Sequence, residues 1–131
     1  MRSRTTWVFI LLIFSLALGI RLLYLTQIER TDPYFYHFTK EADSLYLHEC
    51  FYRLLEGTMR GNERPVYTSL GALVYALADH DKIAIRFVQF LFGAVHAVLL
   101  FCIGSALFGR RVGVLCGVIT ALYAPLIYYE G

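Results

Sequence analysis

The sequence predicts an all-α fold embedded in a membrane, and three observations carry that prediction. With 58% hydrophobic and 16% aromatic residues and a mean hydropathy of +0.56, the chain is too apolar for an ordinary soluble domain. Three segments, 7–25, 83–108 and 112–129, are each 18 residues or longer and nearly free of charge, which matches what a helix needs to cross a hydrocarbon core of ~30 Å. Basic residues are also partitioned. Arg2 and Arg4 precede the first segment and Arg110-Arg111 fill the short turn between the second and third, whereas the stretch 26–82 holds six basic and nine acidic residues, a net of −3. By the positive-inside bias, the amino terminus and the arginine turn are cytoplasmic. The long loop and Gly131 then fall on the opposite face of the plasma membrane. A basic surface for nucleic acid is not part of this pattern, since the net charge is only +2.

The first segment, 7–25, carries Arg21 as its one charge. It competes with a cleaved signal peptide, for which Ala17-Leu18-Gly19 would serve as the cleavage site. Against cleavage, the apolar run continues past that site through Ile20, Leu22, Leu23, Tyr24 and Leu25.

The loop 26–82 opens with a turn at Thr31-Asp32-Pro33, followed by an aromatic cluster, Tyr34-Phe35-Tyr36-His37-Phe38, suited to headgroup depth. The spacing then predicts a helix over 42–56, with Ala42, Leu45, Phe51, Tyr52 and Leu55 as its apolar side and Gly57 as its cap. On that helix Asp43 shares a face with Tyr46, Leu47, Cys50 and Leu54. A polar connection with Gly61 and Asn62 leads to Pro65, which opens a second helix over 66–78. Its apolar stretch is too short to span, so it lies flat on the membrane or packs under the loop.

The second span, 83–108, has Arg86 and Gln89 near its start and His96 further in, and the third, 112–129, has no charge. Cys50, Cys102 and Cys116 form no disulfide framework, and neither they nor His37, His48 and His80 have the spacing of a closed metal site. The chain ends at Tyr128-Tyr129-Glu130-Gly131 with no polar tail, and reads as the start of a longer, multi-span protein.

Among the polar residues, Asp43 is the first candidate for chemistry. A carboxylate at a membrane interface can act as general base toward an acceptor hydroxyl, and a helix start favours the ionised form that a base requires. The same position also suits a plain capping carboxylate, which is the more ordinary role for one acidic residue at a helix start. Glu130 returns to the face that holds Asp43, either as a second acidic group or as a marker of the water boundary. Arg21 and Arg86 lie within a turn or two of that face, where an arginine fork can take a lipid phosphate or snorkel to headgroups. Arg64, beside Pro65 and Tyr67, is a further candidate, although an ordinary solvated arginine fits it as well.

Taken in order, these residues resemble the start of a polytopic glycosyltransferase of the C superfamily (the GT-C fold), the group that includes protein O-mannosyltransferases and lipid A aminoarabinose transferases. The resemblance covers the whole chain. It rests on Arg21-Leu22-Leu23-Tyr24-Leu25, Asp43-Ser44-Leu45-Tyr46, Glu56-Gly57, Pro65-Val66-Tyr67 and Arg86-Phe87-Val88-Gln89, then on Phe108-Gly109-Arg110-Arg111-Val112-Gly113 and the run from Tyr123 to Gly131. Thr68 stands where the family often has a second proline, and Ser44 where some branches have a second acidic residue. The latter departure leaves the branch and a possible divalent metal open.

The resemblance implies transfer of a sugar from a polyprenyl-phosphate donor to a lipid, glycan or protein acceptor on the extracytoplasmic face, with inversion. Asp43 and Glu130 would be the catalytic acidic positions, and Arg21, Tyr46, Arg64, Tyr67 and Arg86 the substrate-binding ones. Because the family builds its donor pocket with later loops and helices, the 131 residues by themselves are expected to be inactive. The rival reading is a non-catalytic protein, either a small membrane assembly subunit or a transporter fragment in which Arg21, Asp43 and Arg86 gate an ion or lipid.

Overall fold

The computed structural model describes residues 4–31, 43–58, 65–78 and 82–130, with Asp43, Ser44, Leu45, His48, Lys82, Tyr129 and Glu130 described by their backbone alone. All the regular elements among the described residues are helices: α1 (Arg4–Thr31), α2 (Asp43–Leu55), α3 (Pro65–Leu77), α4 (Lys82–Phe108), α5 (Arg110–Leu122) and α6 (Ala124–Glu130). The all-α class is therefore observed. The turn at Asp32-Pro33, the aromatic cluster 34–38, the Gly61-Asn62 connection, Arg64 and His80 lie outside the described residues.

Two helices, Arg4–Thr31 and Ile83–Phe108, are long and apolar enough to cross a membrane. The first continues six residues beyond the apolar segment, through Thr26 to Thr31. Nothing in that stretch breaks a helix, and the first proline, Pro33, comes two residues after the last helical one.

The segment 112–129, expected as one continuous span, is divided. Its first part is α5, whose 13 residues reach only about 20 Å at 1.5 Å per residue. Tyr123 then turns to extended backbone, with φ −69 and ψ 97, and α6 adds seven residues. Pro125 is the physical reason. A proline has no N–H for the carbonyl of Ala121 and its ring crowds that carbonyl, but in the first turn of a new helix neither matters. The new helix starts on the Tyr123 carbonyl, which accepts from the amides of Leu126 and Ile127 at 3.1 and 3.4 Å.

The chain forms two compact units, one made of Met1–Ile28 with Phe87–Gly131 and the other of Glu29–Arg86. In the first, Ile13 and Ala17 of α1 pack with Ala94, Ala97 and Phe101 of α4 and Ala121 of α5. Most of these side chains are small, which lets the helix backbones come close. Between α4 and α5 the approach is limited by glycines. A Cβ on Gly113 would fall on Ser105 Oγ and within 2.6 Å of the Phe101 carbonyl oxygen, and one on Gly117 would meet Ile13 at 2.9 Å and Phe101 at 3.0 Å. In a protein surrounded by lipid, such contact is the main source of specificity between helices, because lipid and side chain are equally apolar.

A single residue, Gly109, joins α4 to α5. Its φ of 91 and ψ of 164 lie in a region essentially reserved for glycine, and its carbonyl accepts the first bond of α5 from the Gly113 amide at 3.1 Å. Arg110 and Arg111 are exposed at this turn.

In the second unit α2 packs on α3, with Phe51, Ala72, Tyr75 and Ile85 at the centre and Leu47, Leu54, Tyr67 and Val74 around them. Phe51 sits over Gly71, where a Cβ would enter its ring. Its ring meets Tyr75 edge-on at 5.3 Å and Tyr67 at 5.8 Å. The α2 helix ends in a paired cap: Thr58 N–H bonds to the Arg53 carbonyl at 2.9 Å and Gly57 N–H to that of Leu54 at 3.2 Å. This arrangement needs the positive φ of 69 at Gly57.

Two substitutions test these constraints. Gly109→Ala should destabilise by about 1–3 kcal/mol through backbone strain alone, and Gly113→Ala should lower the melting temperature because a carbonyl oxygen cannot move out of its way. Thermal unfolding in detergent, with Gly19→Ala as a control at a position where a Cβ meets nothing within 4 Å, measures both effects.

Candidate functional site

The expected site residues are divided between the two units. Arg21 and Glu130 belong to the first, and Asp43, Tyr46, Tyr67 and Arg86 to the second.

In α2, the buried side differs from the one its apolar residues suggested. Of the apolar side expected from the sequence, Phe51 is buried while Tyr52 and Leu55 are exposed, and Cys50 is buried with Leu47 and Leu54 half-buried. The packed stripe thus runs through 47, 50, 51 and 54. Asp43 is the first residue of α2, and offsets of four, seven and eleven put it in helical register with Leu47, Cys50 and Leu54. By its backbone position Asp43 therefore opens the register that continues through Leu47, Cys50 and Leu54. The solvent side of α2 carries an ion pair one turn apart, Arg53 Nη2 to Glu49 Oε1 at 2.5 Å. Both groups are more than half exposed, so the pair does little for stability.

Tyr46 is exposed, one turn after Asp43, and Tyr67 is half-buried against Phe51 near the start of α3. Arg86 is half-buried in the second turn of α4, next to Ile85, which lies in the α2–α3 core. That link between α4 and the loop helices gave no signal in the sequence, because Ile85 looks like any other apolar residue of a span.

Arg21 is enclosed by protein. With Ile13 and Ala17 it forms the buried stripe of α1, its exposure is 0%, and Nη1 donates to the Ala17 carbonyl at 3.2 Å. Side chains on a helix lean toward its amino terminus. Here that lean carries the guanidinium back along α1 into packed protein. The burial of this charge could have been suspected from its i, i+4, i+8 spacing with Ile13 and Ala17, a small residue lying one turn before the arginine.

Glu130 is the final residue of α6. Among the described residues, no three His, Cys, Asp or Glu side chains gather as a metal site.

Comparison with known proteins decides the family. The sequence model of the family described as dolichyl-phosphate-mannose-protein mannosyltransferase matches residues 62–130. The chain belongs to that family. It is accordingly a glycosyltransferase-family protein of the GT-C type and, with α1 and α4 able to cross a bilayer, an integral membrane protein. At the same coarse level, membership implies a lipid-linked sugar donor and a glycan or protein acceptor. No curated protein and no solved structure matches the chain. The stretch that resembles this mannosyltransferase family contains Arg64, Tyr67, Arg86 and Glu130, and Arg21, Asp43 and Tyr46 precede it.

The buried state of Arg21 has a measurable consequence. Arg21→Ala should destabilise the detergent-solubilised protein by about 2–3 kcal/mol through lost packing and a lost charged hydrogen bond. Arg110→Ala, exposed beside Gly109, should change stability by less than about 0.5 kcal/mol. Paired thermal melts of the two variants compare them directly.

Proposed function

We propose that this protein transfers a sugar from a polyprenyl-phosphate donor to a lipid, glycan or protein acceptor on the extracytoplasmic face of the membrane. In this reading α1, α4 and the broken pair α5–α6 make three crossings, with Arg110 and Arg111 cytoplasmic and the unit containing α2 and α3 outside. The observation that carries the proposal is the family match together with the place of Asp43, an acidic residue heading the Leu47, Cys50 and Leu54 register of a loop helix.

The reaction is a single displacement. The Asp43 carboxylate takes the proton from the acceptor hydroxyl as the acceptor oxygen bonds to the anomeric carbon. The bond from that carbon to the donor phosphate breaks, and polyprenyl phosphate leaves with the electron pair. Attack from the side opposite the phosphate inverts the centre. Glu130 supplies the second acidic position. Arg64 and Arg86 hold the donor phosphate, for which a planar guanidinium is well shaped, with Arg21 as a further substrate-binding candidate. Tyr46 and Tyr67 offer hydroxyls and ring faces to substrate.

Sugar transfer from labelled polyprenyl-phosphate sugars, measured with the full-length protein at matched expression, tests this. Asp43→Asn should lose about 10²–10⁴-fold in rate, the range for removing a general base, while folding as well as the wild type. Undiminished transfer would return Asp43 to a capping role, and no transfer by either protein would favour the assembly-subunit or transporter reading.

A further inference from the structure

The first unit gathers positive charge at one end with nothing there to balance it. Helix contacts set the register: the rings of Phe9 and Phe101 lie 6.2 Å apart, and a Cβ on Gly117 would touch Ile13. Phe9 is about one and a half turns from Arg4, and Phe101 about two turns from Phe108. The start of α1 and the Gly109 turn between α4 and α5 therefore lie at the same end, and Arg4, Arg110 and Arg111 share it. All three are exposed. Among the described residues, none of the three makes a hydrogen bond or an ion pair.

The sequence offers these charges no carboxylate. Residues 1–28 and 82–129 contain no Asp or Glu, and the one acidic residue of this unit, Glu130, comes twenty residues after Arg110. The positive-inside bias accounts for the side of the membrane on which such arginines lie and says nothing of what neutralises them. Hydrocarbon begins directly beside them. Trp7 follows Arg4 by one turn, Leu107 and Phe108 end α4, and all three are exposed. A guanidinium placed between a lipid-facing apolar surface and water is at headgroup depth, where the anion within reach is a lipid phosphate.

We propose that Arg4, Arg110 and Arg111 form a binding site for the headgroup of an anionic phospholipid, whose acyl chains lie along the exposed Trp7, Leu107 and Phe108. The partner is a lipid with a negatively charged phosphodiester, such as phosphatidylglycerol, held by charge-assisted bonds from the guanidinium groups. A free phosphate ion shares the charge but gains nothing from the apolar rim, so the occupant is a lipid. The inference rests on α1 and α4 crossing the membrane, and is independent of sugar transfer and of the role proposed for Asp43. With the lipid in place, the starts of α1 and α5 share one ligand, which joins two helices that are distant in the chain.

Native mass spectrometry of the full-length protein in a non-ionic detergent, incubated with equimolar phosphatidylglycerol and phosphatidylcholine, reads the preference as the ratio of the two lipid-bound species. Each basic residue near a membrane surface contributes about fivefold to the affinity for an anionic lipid, so three give about a hundredfold. The wild type should retain phosphatidylglycerol over phosphatidylcholine. Arg4→Gln, Arg110→Gln and Arg111→Gln should each cut the ratio by about fivefold, and the triple variant should bring it near one. Arg30→Gln, at an exposed arginine in the last turn of α1, should leave it unchanged. Equal retention of the two lipids by the wild type would overturn the proposal, as would a preference that survives in the triple variant. Displacement of phosphatidylglycerol by an equimolar amount of inorganic phosphate would overturn it too, by making a free anion the ligand. A thermal transition in each variant verifies folding, and if the triple variant has none, the three single variants decide the question.

Discussion

Close contact between helix backbones is the constraint on which the rest of this structure depends. In a chain whose lipid-facing and protein-facing surfaces are both apolar, burial of hydrocarbon cannot by itself choose which helix faces meet. Shape does the choosing. Gly71 takes the Phe51 ring, and Gly113 and Gly117 let α5 approach Ser105, Phe101 and Ile13. Along α4 the matching positions are Ala94 and Ala97, while larger residues such as Phe92, Leu99 and Ile103 are exposed. Small residues are where the backbones come closest, and large ones such as Ile13, Phe90 and Phe101 fill the space beside them.

Backbone chemistry sets a second layer. In apolar surroundings each N–H and C=O needs an internal partner, and the polar side chains within the helices follow suit. Thr26 donates to the Leu23 carbonyl, Thr120 to that of Cys116 and Arg21 to that of Ala17, all within one turn. Where the ladder must break, the chain uses residues that tolerate the break. Gly57 and Gly109 supply positive φ at helix ends, and Pro125 sits in the first turn of α6, where its missing N–H is not needed.

The candidate site shows how such packing changes the meaning of a residue. The sequence placed Asp43 in register with Tyr46, Leu47, Cys50 and Leu54. In the folded unit that side, through Leu47, Cys50 and Leu54, is packed and Tyr52 and Leu55 face outward. Arg21 is a second case: an arginine near the end of a span suggests a headgroup contact, yet its side chain lies within the packed stripe of α1.

What the sequence determined by itself was the helical class, the membrane setting and the family resemblance, which depend on local quantities: segment length, absence of charge, turn residues and the order of short motifs. Gly57 as the α2 cap and Pro65 as the α3 start were legible for the same reason. The tertiary structure alone decided which face of α2 is buried, that Ile85 ties α4 to the loop helices, that Arg21 is enclosed, and that the segment 112–129 bends at Tyr123. Each of these depends on how closely two backbones can approach or on where a side chain finds room. In a sequence this apolar, periodicity carries little of that information, because a helix with hydrocarbon on every side gives no sign of the side its neighbour will take.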